Sequence, residues 1–415
     1  MAKILISSLG AGSLDRNNTA ARVYRTAKYR MNDDGQEYTK SFIASVLYEH
    51  LELDGIISIG TVKSMWEEVY KVFCQENAIE FQEEEWLRLA EKTEQLDRNS
   101  PLDSLDLTPV EKVLGSRSKC ILIKYGLDEA ELQENLDRIL KIVEFLQEGD
   151  ELYIDITHSF RSLSVFLFLV LIFLNDLERE KNIKIKGVFY GMLDVIGELG
   201  YAPVVNLQSL FDLTQWIKGA YSLKNFGNGY LISQLLEEQG EAELADRITK
   251  LSEAININYL PTIQQRSIEL KTSLKTQGLS SPFKYLRNIL EKFTQQFSNR
   301  SERECDFQLK LAGWYFENKR YATGYVTLTE AIITYLCEIH EKDIISKSDR
   351  DEMKGLLHEH PHTELAKLFF KVNPIRNGIA HASIDGKRAS YANAIERAKD
   401  YHQKAKAIFR QRTLG

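Results

Sequence analysis

Residues 1–205 alternate short apolar runs with longer amphipathic segments. The apolar runs are bounded by glycine and polar residues, as buried strands are, and the segments between them repeat apolar positions with a helical period. Strands that alternate with helices predict a parallel sheet covered on both faces, so we expect a doubly wound, Rossmann-like α/β domain. The predicted strands are 3–8, 54–60, 119–126, 150–158 and 183–193, and the predicted helices are 38–53, 62–76, 128–148 and 160–180.

The pattern changes after residue 206, where long helical periods dominate and only a few Gly and Pro residues interrupt them. This half therefore predicts an all-α region. We divide it into a helical connector, 206–300, which carries no readable motif, and a helical domain, 301–415. The predicted helices are 207–221, 229–238, 241–254, 256–277, 281–299, 303–317, 321–342, 350–355, 361–372 and 389–411.

Length and composition are those of a globular protein with two or three domains. The chain has 415 residues, of which 43% are hydrophobic and 27% charged. The formal net charge is −7, so the protein as a whole is not basic, and a nucleic-acid partner would need a local basic surface. The segment from Arg376 to the end contains nine Lys and Arg residues and three acidic residues. A solvated helix face and an anion-binding surface are both compatible with that excess.

Cysteine spacing and apolar run length indicate a reducing, cytoplasmic location. Cys74, Cys120, Cys305 and Cys337 form no CxxC pair, so neither a zinc site nor a disulfide framework is indicated. The longest apolar run, Leu163–Leu174, is shorter than the about 20 residues that cross a bilayer. The opening "MAKILISSLGAG" is too briefly apolar for a signal peptide, and we predict no membrane association.

Polar residues follow two of the predicted strands, in "SSLGAGS" (7–13) and "DITHSFRSLS" (155–164). Ligands of open parallel sheets bind beyond the carboxyl ends of the strands. These stretches together suit a phosphodiester or nucleotide ligand. They supply hydroxyls, glycines that let backbone N–H groups approach a ligand, a helix N-terminus and an arginine guanidinium. Helix capping alone would also explain the Ser and Thr residues. The predicted ligand-binding residues are Ser7, Ser8, Leu9, Gly10, Gly12, Thr157, His158, Ser159 and Arg161.

A second polar group lies in "NPIRNGIAHA", residues 373–382, where Pro374 suits the first turn of a helix. Arg376 and His381 are five residues apart, which is about 140° around a helix, so their side chains do not share a face. They converge only if the arginine reaches around or if a second copy of the chain supplies the partner. A histidine and an arginine without a metal suit RNA cleavage by the substrate's own 2′-OH. A capping arginine and a core histidine are the structural alternative.

The two motifs together resemble those of the CRISPR-associated CARF–HEPN ribonucleases of type III systems. "DITHSFRS" after a strand is similar to the signature of their CARF domains, and "RNGIAH" to the Arg-x4–6-His motif of their HEPN domains. The resemblance implies a homodimer that binds cyclic oligoadenylate through Ser8, Gly10, Thr157, His158 and Arg161. Rings of four and of six adenylates both suit the motif, and we favour four. The resemblance also implies a composite HEPN active site for single-stranded RNA, formed in both subunits by Arg376, Asn377 and His381.

The expected function is therefore a cyclic oligoadenylate-activated, metal-independent endoribonuclease of type III CRISPR defence, without a cofactor. A non-catalytic sensor with a helical interaction domain is the alternative. An enzyme acting on a free nucleotide is disfavoured, because "GAG" is an incomplete glycine fingerprint without a ribose-binding acid. Glu330, inside an apolar helix, is either a residue that supports the active site or, as the simpler interpretation, a solvated or paired glutamate.

Overall fold

The fold is that of a computed structural model, which describes residues 1–15, 22–158, 161–177, 181–276, 283–299, 301–381 and 391–412. The chain forms two compact units, Met1–Thr214 and Gln215–Gly415. None of the helices in these described ranges combines the length and the apolar composition that crossing a membrane requires.

The first unit is built on one eight-stranded sheet with the order β3-β2-β8-β7-β6-β1-β4-β5. The five strands from β5 to β7 in this order run parallel, which confirms the predicted doubly wound α/β fold. All five predicted strands are present. The strands are β1 (Lys3–Leu9), β2 (Ala27–Met31), β3 (Glu37–Lys40), β4 (Gly55–Gly60), β5 (Lys119–Leu122), β6 (Glu151–Asp155), β7 (Lys184–Gly191) and β8 (Ala202–Asn206).

Three strands extend the parallel sheet and were not predicted. β8 pairs antiparallel with β7, β2 pairs parallel with β8, and β3 pairs antiparallel with β2. The predicted helix 38–53 was therefore wrong at its beginning, because β3 takes its first residues and the helix starts only at Ile43. A turn with Gly35 in the left-handed region, at φ +76°, joins β2 to β3.

Helices cover both faces of the sheet. Alternate residues of β1 enter two separate hydrophobic clusters: Leu5 joins one, while Ile4 and Ile6 join the other. Three of the helices, α3, α4 and the short α8, were not predicted. The helices of this unit are α1 (Ile43–Leu51), α2 (Trp66–Glu76), α3 (Glu83–Gln95), α4 (Thr108–Leu114), α5 (Glu129–Leu140), α6 (Ile142–Phe145), α7 (Arg161–Leu177) and α8 (Ile196–Leu199).

The described chain is helical after β8, which confirms the all-α prediction for this half. The second unit has its own apolar core, in which the rings of Tyr335 and Phe409 stack with centroids 4.2 Å apart. The helices are α9 (Gln208–Phe226), α10 (Tyr230–Glu238), α11 (Ala242–Asn256), α12 (Leu260–Thr276), α13 (Phe283–Phe297), α14 (Glu304–Glu317), α15 (Tyr321–Ile339), α16 (Lys347–Glu359), α17 (Glu364–Ala380) and α18 (Tyr391–Gln411).

Pro374 does not begin a helix, contrary to the prediction, but lies inside α17. A proline has no N–H to donate to the carbonyl four residues earlier, here that of Phe370. The start of α17 is instead capped by Thr363, whose hydroxyl accepts a hydrogen bond from the N–H of Ala366 at 3.3 Å. The helix therefore contains its proline two residues before Arg376, as an internal defect rather than as a start signal.

Candidate functional site

The first polar group lies where β1 and β6 end side by side in the middle of the sheet. β4 and β5 lie on one side of β1, and β6 and β7 lie on the other side. Such a topological switch point opens a crevice at the carboxyl ends of the strands. Ser7 on β1 is paired in register with Asp155 on β6, and the Ser7 hydroxyl donates a hydrogen bond of 2.6 Å to the Asp155 carboxylate.

Asp155 organises the turn that follows β6. Its carboxylate is fully buried and accepts a second hydrogen bond, of 2.8 Å, from the N–H of Thr157. The Thr157 hydroxyl in turn accepts the N–H of Gly191 at 2.7 Å, and the Ser8 hydroxyl donates to the carbonyl of His158. The sequence analysis did not include Asp155 among the site residues, although a carboxylate directly after a buried strand was the available signal.

Burial acts in opposite directions on the two titratable groups of this turn. It raises the pKa of the Asp155 carboxyl, against the nearby His158 and the hydrogen bond from Ser7. It lowers the pKa of His158, against the attraction of Asp155. The Nε2 atom of His158 is buried and has no hydrogen-bond partner in the described part of the chain. His158 is therefore a neutral imidazole with one ring nitrogen unused by the protein.

The lowered pKa of His158 predicts a loss of stability on mild acidification. Its unfolded-state value is 6.5 and its folded value is lower, so the unfolded chain binds more protons as the pH falls. The contribution of His158 to stability is thus present above pH 6.5 and lost as the pH drops through the folded pKa. Urea unfolding between pH 8 and pH 5 should show this decline in the wild type and a weaker one in His158→Gln. Equal declines in both proteins would contradict it.

A cavity of about 360 Å³ opens at the ends of these strands. It is lined by the four predicted residues Leu9, Gly10, Thr157 and His158. Ser7 and Ser8 are buried, and their hydroxyls are engaged within the protein. Ser159 lies outside the described residues, and of Arg161 the structure describes only the backbone at the start of α7. The remaining lining residues, which the sequence analysis missed, are Ala11, Gly60, Thr61, Lys63, Ser64, Ile123, Tyr125 and Leu163.

The turn after β4 supplies much of the missed lining. Its Ser64 hydroxyl donates to the carbonyl of Leu9 at 2.6 Å, and the N–H of Met65 donates to the carbonyl of Gly10 at 3.1 Å. These bonds tie the turn to the segment after β1. The polar stretch "GTVKS" after a predicted strand was the signal that could have identified it.

Gly12 has a packing role in the same segment. Its φ of +67° lies in the left-handed region, and a Cβ there would come within 2.6 Å of Met65 Sδ and 2.7 Å of the Tyr24 ring. Only glycine lets this segment approach Met65 and Tyr24 so closely.

The second polar group lies at the end of α17. Arg376 donates from Nη1 to Oδ1 of Asn377 at 3.1 Å, and its buried Nε has no partner among the described residues. His381 follows the last helical residue, and its N–H donates to the carbonyl of Asn377 at 3.0 Å. The side chains of Asn377 and His381 are exposed. Within the described part of one chain no hydrogen bond joins Arg376 to His381, as the helical geometry predicted.

Glu330 is paired with Arg350, which matches the simpler of its two interpretations. The guanidinium of Arg350 donates to the Glu330 carboxylate and, at 3.0 Å, to the carbonyl of Ile344. The carboxylate is thereby committed to an ion pair within the helical unit.

One group of described residues has metal-ligand spacing. Asp33, Asp34 and His50 bring ligand atoms within 4.8 Å of one another, and both aspartates are exposed. His50 also contacts the Tyr38 hydroxyl at 3.1 Å. This group belongs to neither of the two polar groups described above.

Comparison with known proteins gives matches along most of the chain. Residues 4–194 match the family described as CRISPR system endoribonuclease Csx1, CARF domain, and residues 212–302 match the second domain of CRISPR-associated protein MJ1674. CRISPR-associated protein MJ1674 of Methanocaldococcus jannaschii is 37% identical over 409 residues, an alignment that covers 93% of this chain and 63% of the relative. The chain thus spans less than two thirds of that relative's length.

A solved structure of Enterococcus italicus Csm6 bound to cyclic hexa-2′-fluoro-hexa-dAMP also matches, with 12% identity and a TM-score of 0.39. The match covers 99% of this chain and 94% of that chain. The sequence-family matches agree with the sheet topology and with the strand-end site in residues 4–194. They confirm the resemblance identified from "DITHSFRS": residues 4–194 belong to the CARF-domain family of CRISPR-associated proteins.

Proposed function

We propose that the protein is an effector of type III CRISPR defence that binds a cyclic oligoadenylate at the strand-end cavity and then cleaves single-stranded RNA without a metal ion. The observation that carries this proposal is the position of the cavity. It lies at the switch point of a CARF domain, where hydroxyls, backbone N–H groups and a neutral histidine converge.

The cavity offers the chemistry that an adenylate needs. Ile123 and Leu163 supply apolar surface for a base, and Tyr125 supplies an aromatic ring. The unused Nε2 of His158 can exchange a hydrogen bond with the ligand. Ser7 and Ser8 act indirectly, because their hydroxyls hold Asp155 and the turn at His158 in place. Four adenylates in the ring remain our expectation.

RNA cleavage is assigned to the end of α17. Arg376 would stabilise the charge that builds on the phosphorane, and His381 would move a proton or hold the scissile phosphate. Because the two side chains are not joined within one chain, we assign the complete site to Arg376, Asn377 and His381 of two subunits. No metal enters this scheme, since the substrate's 2′-OH is the nucleophile.

The C-terminal helix supports an RNA substrate by its charge. On α18 the side chains of Lys399, Lys406 and Arg410 are exposed and lie on one helical face at spacings of seven and four residues. Lys404 by contrast is paired with Asp400. A stripe of exposed cations of this kind suits a phosphodiester backbone.

A homodimer is proposed from the outer face of α7. One face of this helix is buried against the sheet, while Val165 and Leu169 on the other are 61% and 52% exposed. The half-buried Ile172 continues the stripe one turn later. We assign this stripe to a second copy of the chain, because a cyclic ligand with two-fold symmetry and a shared active site both need an isologous dimer.

Leu169→Lys is expected to yield a monomer that neither binds activator tightly nor cleaves RNA. A charge placed in an apolar interface is left without a partner, which opposes association. Sedimentation velocity at micromolar concentration measures the change. Leu127→Lys is the matched control, since Leu127 is 59% exposed but lies outside α7. A wild-type monomer with full activity would contradict the dimer.

The decisive experiment is a titration of the wild-type protein with linear and cyclic oligoadenylates of several lengths, followed by an RNA cleavage assay with and without a chelator. Tight binding of one cyclic species and chelator-resistant cleavage that depends on it are expected. Binding to no oligoadenylate would refute the sensor, and cleavage abolished by the chelator would refute the metal-independent chemistry.

A non-catalytic sensor remains the second candidate, and one observation favours it. The side chains of Arg376 and His381 are not joined within a chain, so a catalytic pair exists only in an assembly. Activator binding without any RNA cleavage, by a protein shown to be dimeric, would select this candidate.

A further inference from the structure

Lys63 is a cation at the strand-end cavity that the sequence analysis did not identify. Among the lining side chains that the structure describes, it alone is a lysine or arginine, and His158 is neutral. A cyclic oligoadenylate carries one negative charge for each phosphate, and an anion removed from water without a partner is strongly disfavoured. The cavity therefore needs a cation, and neither of the two sequence motifs includes Lys63.

The Lys63 ammonium is held by the end of a neighbouring helix. Its Nζ donates to the carbonyl of Thr93 at 2.9 Å and to that of Glu94 at 2.7 Å. Both carbonyls belong to the last turn of α3, where helical carbonyls have no partner within the helix. Lys63 thus caps the C-terminus of α3, where the helix dipole places about half a negative charge.

The backbone of Lys63 is fixed independently of its side chain. Its N–H donates to the Thr61 hydroxyl at 3.2 Å, within the turn that is bonded to the segment after β1. The long lysine side chain can therefore change partners while its backbone stays in place, and an ammonium has three donors to share.

We infer that Lys63 transfers its ammonium from the end of α3 to a phosphate of the bound ligand, so that activator binding uncaps α3. This inference rests on the proposed function. A full phosphate charge attracts the ammonium more strongly than the partial charges of two carbonyls. Lys63 is then both a phosphate-binding residue and the connection between the cavity and a helix outside it.

The last turn of α3 connects the uncapping of this helix to other parts of the first unit. The Glu94 carboxylate is paired with Arg22 at 3.2 Å, and Arg22 is also paired with the buried Glu67 of α2 at 2.6 Å. Tyr24 donates to the same Glu67 carboxylate at 2.8 Å. Loosening α3 at this point therefore acts on the strand-end segment after β1 as well as on α3 itself.

The first test compares the affinity of wild type, Lys63→Met and Lys63→Arg for cyclic tetra-adenylate and cyclic hexa-adenylate over a range of salt concentrations. Lys63→Met should weaken binding about tenfold or more, which is the scale of a charge-assisted hydrogen bond. It should also reduce the slope of log affinity against log salt by up to about one, because one phosphate contact is lost. Lys63→Arg should keep the slope. The control is Lys92→Met, since Lys92 is an exposed cation in the last turn of the same helix.

The second test follows amide hydrogen exchange at the end of α3. In the wild type, the amides of Gln95 and Leu96 should exchange faster when ligand is bound. In Lys63→Met they should exchange fast with or without ligand, while the exchange of α2 and β1 stays slow and shows that the fold is intact. A purely structural role for Lys63 would predict no response of α3 to the ligand.

The outcomes separate the inference from the function on which it rests. If the wild type binds a cyclic oligoadenylate and Lys63→Met binds it with the same affinity and the same salt slope, the inference about Lys63 is refuted. The proposed activator binding is then unaffected. Ligand-induced protection of α3 in the wild type would refute the transfer in the same way. If the wild type binds no cyclic oligoadenylate, the proposed function is refuted, and the inference with it.

Discussion

RNA cleavage is expected to fall about 10²-fold or more when either Arg376 or His381 is replaced by alanine. That is the usual scale for removing a group that stabilises charge or transfers a proton in the transition state. Both variants should bind cyclic oligoadenylate like the wild type, because the cavity lies in the first unit, at the ends of β1 and β4 and in the segments that follow β5 and β6. Single-turnover cleavage of a labelled single-stranded RNA measures the loss.

Two exposed residues supply matched controls. Lys371→Ala removes a cation from the exposed surface of α17, and His362→Ala removes an exposed imidazole just before that helix. Neither should approach the loss expected at Arg376 and His381. Mixed dimers should distinguish a site shared between subunits from two independent sites. In a dimer of one Arg376→Ala chain and one His381→Ala chain, a shared site can still combine the intact Arg376 of one chain with the intact His381 of the other. Such a dimer should therefore keep activity if the site is shared and lose it if each chain forms its own site.

The products test the nucleophile. Attack by the substrate's own 2′-OH leaves a 2′,3′-cyclic phosphate and a free 5′-OH. An all-DNA substrate and an RNA that is 2′-O-methylated at the cut site should both resist cleavage, since neither carries the nucleophile. Efficient cutting of either one would contradict the mechanism.

Asp155→Ala is expected to have the second largest effect and to act on the sensor. The change leaves the Ser7 hydroxyl and the N–H of Thr157 without their acceptor. Each buried donor left unsatisfied costs about 1–3 kcal/mol, and removal of a buried carboxylate offsets part of this, so we expect a loss of roughly 2–4 kcal/mol in the free energy of unfolding. Because the same turn presents Thr157 and His158 to the cavity, activator affinity should fall about 10²-fold.

Two further substitutions serve as controls for Asp155→Ala. Asp155→Asn keeps a carbonyl acceptor and should recover most of the stability. Asp137→Ala removes an exposed aspartate of α5 and should change stability by less than about 0.5 kcal/mol. Denaturant unfolding and activator titration of the three variants provide the measurement. An Asp155→Ala protein with wild-type stability and affinity would show that this carboxylate does not organise the site.

The proposed activator site could be predicted only partly from the sequence. The motif residues Leu9, Gly10, Thr157 and His158 do line the cavity, because polar residues directly after buried strands meet at one edge of a parallel sheet. The roles of Ser7 and Asp155 depend on a hydrogen bond between residues 148 positions apart, and no local pattern encodes such a contact. The same is true of Lys63, whose partners at the end of α3 lie 30 and 31 positions further along the chain.

At the end of α17, too, one feature was predictable from the sequence and another was not. The 140° separation of Arg376 and His381 follows from helical periodicity, and the structure contains no hydrogen bond between them. The place of Pro374 was misjudged, because proline is compatible both with a first turn and with an internal defect that the surrounding packing tolerates. Tertiary packing of α17 against the core of the helical unit decided between these two.

The sequence by itself determined the five parallel strands, the alternation of strands with helices in the first half, and the helical second half. Burial imposes a period on apolar residues, and that period can be read locally. Only the tertiary structure decided the antiparallel edge. β2 and β3 are only five and four residues long and are partly exposed. Each therefore offers only one or two buried side chains, such as Tyr29 and Tyr38, to a pattern search. Short, half-exposed strands gain their stability from the neighbours with which they pair, and the strand that joins this hairpin to the sheet, β8, lies about 170 residues further along the chain.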